Sequence, residues 1–216
     1  MNPQGPYDPY EVLAAAAAEW DAVEPLLSAQ ARQALAAALR RLRGTPAGRE
    51  AAARDAARLL TDAMPDAEGG RLVATAPQAA SSAGFRAEDL AALVLDRTRM
   101  VGPVLGPVRE RLLSVPALSD DVVIRQGGDP YAAGLIRLTG EGGAVRLPRF
   151  QFSEDALPWL VLLEVNELLD AGEDPWGVAD WWLSDNAWLA APPASLLGTG
   201  RDHELVAVAH ALTDGE

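Results

Sequence analysis

Apolar residues recur at helical spacing along most of the chain. Helix formers run from Tyr10 to Val23 and stop at Pro25. Ser28 is placed to cap a second helix reaching about Arg43, with Leu35, Leu39 and Leu42 at helical spacing and Gly44 as the stop. Thr45-Pro46 fits the N-cap and first position of a third helix, which reaches Leu59-Leu60 and ends before Pro65. Opposite the apolar positions of these two helices lie Arg40, Arg41, Arg43, Arg49, Arg54 and Arg58. That pattern reads as a solvated helix face, or as a docking surface for DNA phosphates or an acidic module such as the chain's own C-terminal half. Met1 to about Pro9 reads as a loose tail. Residues 65–84 are rich in Ala, Ser, Gly and Gln without periodicity and read as a linker.

Ala87 to Leu95 has helical character, with Leu90, Leu93 and Val94 on one face. With Asp96-Arg-Thr-Arg-Met100 it resembles a helix-turn-helix, which would offer Arg97, Thr98 and Arg99 to DNA. Two Gly-Pro pairs follow at once, and they oppose a recognition helix of ordinary length. Another helix is expected from Pro107 to Val115, and a short one capped by Ser119. Leu135 to Thr139 and Ala144 to Leu147 alternate around Gly140-Glu-Gly-Gly143, which predicts a β-hairpin. Leu157 to Ala171 is an amphipathic helix ended by Gly172. Asp174-Pro175 opens the next helix, and Asp202 caps the last. The fold class expected is mainly α: a helical region (1–64), a linker (65–84), a degenerate helix-turn-helix-like region with a hairpin (85–146), and a helical module (147–216).

Composition narrows the chemistry. The chain has 216 residues and no Cys, which excludes disulfides, thiolate metal sites and cysteine nucleophiles. Its two imidazoles, His203 and His210, are seven residues apart, about two helical turns, and give no basis for a catalytic pair or a metal site. No catalytic residue, metal ligand or cofactor is expected. No run of about 18 apolar residues appears, and no basic-then-apolar leader is visible, so a cytoplasmic protein is expected. All 18 basic residues are Arg, and the formal charge is −13. The excess sits at the end, where residues 153–216 carry thirteen acids against Arg201 alone. Such a module repels nucleic acid and suits a basic partner surface, although acidic surfaces also serve solubility alone. Five of six Trp lie between Trp159 and Trp188. Trp181 and Trp182 point about 100° apart on a helix, so one of the pair is a candidate contact anchor.

Leu147-Pro-Arg-Phe-Gln-Phe152 resembles the Pro-x-Phe-Gln-Phe entry of the antitoxin family named for its Xre, MbcA and ParS members. Asp174-Pro-Trp-Gly-Val-Ala-Asp-Trp-Trp-Leu183 is similar to that family's helix ending in Trp-Leu. Ser184-Asp-Asn-Ala-Trp-Leu189 resembles its polar turn, and Ala190-Ala-Pro-Pro-Ala-Ser-Leu-Leu197 its Gly-x-x-Pro-x-x-Leu-Leu segment, with Ala190 or Ala191 where Gly is usual. The resemblance covers about residues 147–212 and implies an antitoxin. Its partner would be a RES-domain, NAD-degrading toxin whose active-site entrance the C-terminal module covers. The acidic residues would stand where phosphate charge would sit in a basic pocket. The interface residues it points to are Trp182, Asp185, Asn186, Trp188, Arg201 and His203. A homodimer is expected, with operator DNA as a possible second partner. The competing readings are a DNA-binding regulator using Arg97 to Arg99, and a scaffold recruiting a partner through the acidic module.

Overall fold

The computed structural model describes residues 7–155 and 157–213. The chain is mainly α-helical with a small three-stranded antiparallel sheet. The sequence stretch 1–6, most of the expected tail, lies outside the described residues. Two compact units are present, residues 1–107 with 141–143, and residues 108–140 with 144–216.

Unit 1 is built around a buried alanine helix. Asp8 caps α1 (Pro9–Ala18) by accepting the Tyr10 N–H at 2.8 Å, and Pro9 fits the first position. Every residue from Val12 to Ala17 is buried. A helix apolar on all sides has to be enclosed. Here α4 (Pro46–Ala63), α5 (Asp66–Ala83) and α6 (Ala87–Ala91) enclose it. The expected helix through Val23 is interrupted at Glu19, after which α2 (Trp20–Val23) begins. Ser28 caps α3 (Ala29–Leu42) through the Ala31 N–H, and Leu35, Ala38, Leu39 and Leu42 form its buried stripe against α4. On α4 the stripe is Ala52, Ala53, Ala56, Ala57 and Leu60.

The expected linker is a helix. In α5 the buried residues are Gly69, Leu72 and Ala76, at i, i+3 and i+7. The periodicity exists but is carried by small side chains, so it leaves no visible stripe of large apolar residues. Gly69 is needed for close approach: a Cβ there would lie 2.8 Å from the Thr61 carbonyl oxygen of α4. Gly84, with φ +66°, ends α5 in the left-handed conformation. The division between units falls after Pro107, inside α7 (Gly102–Ser114), not at 65–84. The Gly-Pro pairs do not break α7: Pro103 sits in its first turn, where an N–H has no helical partner, and Pro107 is accommodated within it.

Unit 2 contains β1 (Ala117–Leu118), α8 (Asp120–Arg125), β2 (Leu138–Thr139), β3 (Val145–Pro148), α9 (Leu160–Leu168), α10 (Pro175–Leu183) and α11 (Asp202–Thr213). The sheet order is β1-β3-β2. The hairpin is present, pairing Leu138 with Arg146 and Thr139 with Val145. Its first strand is shorter than the alternation suggests. The Ile136 backbone pairs instead with a side chain: Gln151 accepts its N–H at 2.7 Å and donates to its carbonyl at 3.0 Å. A second polar chain crosses the core. Trp182 Nε1 donates to Asn166 Oδ1 at 2.7 Å, and Asn166 Nδ2 donates to the Gly134 carbonyl at 2.6 Å. Trp182, Asn166 and Gln151 are all fully buried, so these bonds are what makes their burial tolerable. Leu162, Val165, Val178, Ala179 and Leu205 fill the space around them.

Candidate functional site

The loop from Ser184 to Arg201 joins α10 to α11 and is closely held. Asp174 caps α10 by accepting the Gly177 N–H at 2.8 Å. Past the helix end, Asn186 Oδ1 accepts the N–H groups of Trp188 at 2.9 Å and Leu189 at 3.2 Å. The Asn186 N–H donates to the Ala191 carbonyl, closing the turn as an isolated antiparallel bridge. Leu189 is buried beneath the turn while Trp188 is 65% exposed. Ala190 occupies the left-handed region with φ +55°, which is where glycine would be free of strain. Pro193–Leu196 form a 3₁₀ turn, and Gly198 (φ +73°) packs so closely on Trp159 that a Cβ would lie 2.9 Å from the ring. Arg201 then ties the loop to α11. Its guanidinium makes two bonds to Glu204, at 2.6 and 2.7 Å, and donates to the Leu189 carbonyl at 3.4 Å. That hydrogen bonding raises the Arg201 pKa and holds the Glu204 carboxyl below its ordinary value.

The six residues expected at an interface therefore divide. Trp188, Asp185 and His203 are exposed. Asn186 shapes the turn, and Arg201 is committed to Glu204 and Leu189, so both act by positioning. Trp182 is corrected to a core residue, 0% exposed, with Trp181 edge-on at 5.0 Å and Phe150 at 5.9 Å. Trp181, the other member of the pair, is half-buried. His203 borders a groove of about 560 Å³ between α9 and α11, together with Leu160, Glu164, Asp202 and Val206. Leu160 is the most exposed large apolar residue in the described chain, at 84%.

In unit 1 no recognition helix contains Arg97 to Arg99. A π-helical turn (Ala92–Asp96) follows α6, and residues 97–101 are irregular. Thr98 is buried, and its hydroxyl accepts the Met100 N–H at 3.1 Å, so it is not presented to a base edge. Arg99 pairs with Asp21 at 2.5 Å. Arg97 is exposed with φ +53°. The arginine face is largely engaged within the unit. Arg41 and Arg58 pair with Asp55, Arg54 pairs with Glu50, and Arg49 donates to the Leu42 carbonyl. Arg43 reaches the fully buried Asp96 through two bonds at 2.7 and 2.8 Å, and the Gly142 N–H also donates to Asp96 at 2.9 Å. The hydrogen bonds that Arg43 donates to Asp96 raise the arginine's pKa.

Sequence reasoning missed Gln151, Asn166 and the Arg43–Asp96 pair. Asn166 carried a signal, since it falls among the apolar positions of α9 beside Leu162 and Val165. Asp96 carried none, because its partner is 53 residues away. Among the described residues no cluster of His, Asp and Glu could hold a metal ion, and no helix is long and apolar enough to cross a membrane. Comparison with protein-family models, with curated proteins and with solved structures finds no match.

Proposed function

We propose that this chain is an antitoxin-type binding protein whose C-terminal unit covers the active-site entrance of a RES-domain, NAD-degrading toxin. The observation that carries the reading is Trp188. A large aromatic ring, 65% exposed, is held out by the Asn186-capped turn on a fixed frame. A preorganised aromatic anchor loses little side-chain freedom on binding, which is the usual character of an interface hot spot. Two further features support it. Asp185 stands exposed beside the turn, and the one cation of residues 153–216, Arg201, is neutralised by Glu204. Asp180 is met by Arg111, but the other acids of this stretch far outnumber its cations, and an acidic surface suits an entrance built to admit a pyrophosphate. The motifs of Leu147 to Leu197 resemble the Xre/MbcA/ParS family in the same region. The DNA-binding reading has less support, because Thr98 is buried and residues 97–101 form no helix.

The test is to capture partners on the tagged chain from its native host, strip them off, and assay each for NAD loss. A partner that consumes NAD only when freed is expected. Trp188→Ala combined with Asp185→Ala should weaken neutralisation while leaving the unfolding free energy within about 0.5 kcal/mol of wild type, as for exposed positions generally. A captured partner without NAD-consuming activity, or neutralisation unaffected by the double variant, would overturn the reading.

A further inference from the structure

Unit 1 contains a cleft of about 700 Å³ whose walls carry four arginines, Arg32, Arg40, Arg97 and Arg99. Its volume is that of a small-molecule site. One wall is a single face of α3: Ala29, Arg32, Gln33, Ala36 and Arg40 recur at helical spacing. The opposite wall is the π-helical turn and the irregular segment after it, from Leu93 to Arg99. Leu35 and Trp20, both buried, lie beneath its floor.

The charge state of this cleft is unusual for the molecule. Among the described residues only the guanidiniums of Arg32, Arg40, Arg97 and Arg125 make neither an ion pair nor a hydrogen bond. Three of those four line the cleft. Glu24 is the cleft's one acid, and together with Asp21 it faces Arg99, so the other three guanidiniums are left uncompensated. Elsewhere among the described residues every arginine but Arg125 is paired with an acid, donates to a backbone carbonyl or has another partner. Concentrating unpaired guanidiniums in one concavity costs self-repulsion that an anion would relieve. The backbone carries a cost at the same place. A π-helical turn, a geometry found often at functional sites, delivers Arg97 in the left-handed region.

We propose that this cleft binds a phosphorylated small molecule of nucleotide size. Arg32, Arg40 and Arg97 hold its phosphates, where planar guanidiniums match phosphate oxygens in paired bonds. The apolar surface of Ala36, Val94 and Leu95 receives its base and sugar. A duplex fits less well, because the arginines converge within a concavity rather than spreading as a stripe along several phosphates. This assignment is independent of the protein-binding reading of unit 2.

Calorimetric titration of the full chain with ATP, and separately with inorganic tripolyphosphate, at low salt tests it. Saturable ATP binding is expected, tighter than tripolyphosphate binding by about tenfold for the added apolar contact. Arg97→Gly removes the guanidinium and relieves the positive φ, so it leaves the fold intact. Arg32→Ala changes an exposed helix position to the best helix former. Each should weaken ATP by about tenfold or more, as loss of a charged hydrogen bond does. Arg125→Ala, equally unpaired but outside the cleft, should change nothing. Absence of ATP binding, or equal weakening by Arg125→Ala, would overturn the site. Tripolyphosphate binding as tightly as ATP would overturn the role given to the apolar surface. A short duplex that binds more tightly than ATP, with the same arginine dependence, would reassign the cleft to nucleic acid and overturn the proposal.

Discussion

Replacing Trp182 by Phe separates a core role from a contact role. The side chain is fully buried, and its Nε1 makes a 2.7 Å bond to the equally buried Asn166. Phe keeps the packing against Phe150 and Trp181 but removes the donor, leaving Asn166 Oδ1 without its partner. An orphaned buried acceptor costs roughly 1–3 kcal/mol. The smaller ring adds about 1 kcal/mol for the space it leaves, at the low end for large-to-small changes. A total of about 3 kcal/mol follows, and for a unit of about a hundred residues each kcal/mol lowers the midpoint by roughly 4–8 °C. Far-UV circular dichroism on heating should therefore show unit 2 melting lower by about 12–24 °C. Asn166→Leu removes the other end of the bond and strands the Gly134 carbonyl as well. In the double variant the stranded Asn166 oxygen is gone, so the combined cost should fall short of the sum by about 1–2 kcal/mol. A melting point within 3 °C or so of wild type for Trp182→Phe would refute the buried bond, since that is less than 1 kcal/mol. Additive single effects would refute the pairing.

Four other outcomes are expected. Asp96→Ala leaves Arg43 half-buried and unpaired, and urea unfolding should register a loss of about 3 kcal/mol. Gly69→Ala should destabilise by about 1–3 kcal/mol in the same assay because the added Cβ meets the Thr61 carbonyl at 2.8 Å, outweighing a helix-propensity gain of about 1 kcal/mol. Ala190→Gly should be neutral or stabilising in thermal melts, since relief of about 1–2 kcal/mol at positive φ offsets glycine's extra chain entropy of about 0.5–1 kcal/mol. Glu204 has its folded pKa depressed by Arg201, so its contribution is present above the ordinary carboxylate range and is lost as pH falls through the depressed value. Melts of wild type and Glu204→Gln should accordingly differ at neutral pH and converge in acid.

The helices of unit 1 were legible where a stop or a cap is written in one residue: Ser28, Gly44, Thr45-Pro46 and Pro65 mark their ends within a residue or two. The cap at Asp174 and the turn Gly140–Gly143 were legible for the same reason. Helix α5 was not, because burial there is set by closeness of backbones. Gly69 and Ala76 bury almost no side chain, and nothing in a run of small residues says whether another helix lies against it. Pro107 misled in the opposite direction, since a proline's cost within a helix can be met by the packing of Leu112 and its neighbours beyond it.

The candidate surface divides by the same logic. Trp182 and Trp188 are identical letters in one short motif, yet one is buried in the core and the other stands in solvent. The difference lies in what waits for the indole N–H. Asn166 is 16 residues upstream on another helix, and only the packing of α9 against the rest of unit 2 brings its amide oxygen into reach. Trp188 follows Asn186, whose side chain is already occupied by the Trp188 and Leu189 backbone N–H groups. That local turn buries Leu189 and sends its predecessor outward. Short-range hydrogen bonds thus select which aromatic faces solvent, and long-range ones select which is enclosed. A partner meeting unit 2 would meet the residue chosen by the turn, and the motif's other tryptophan would act on that partner only by keeping the frame beneath it rigid.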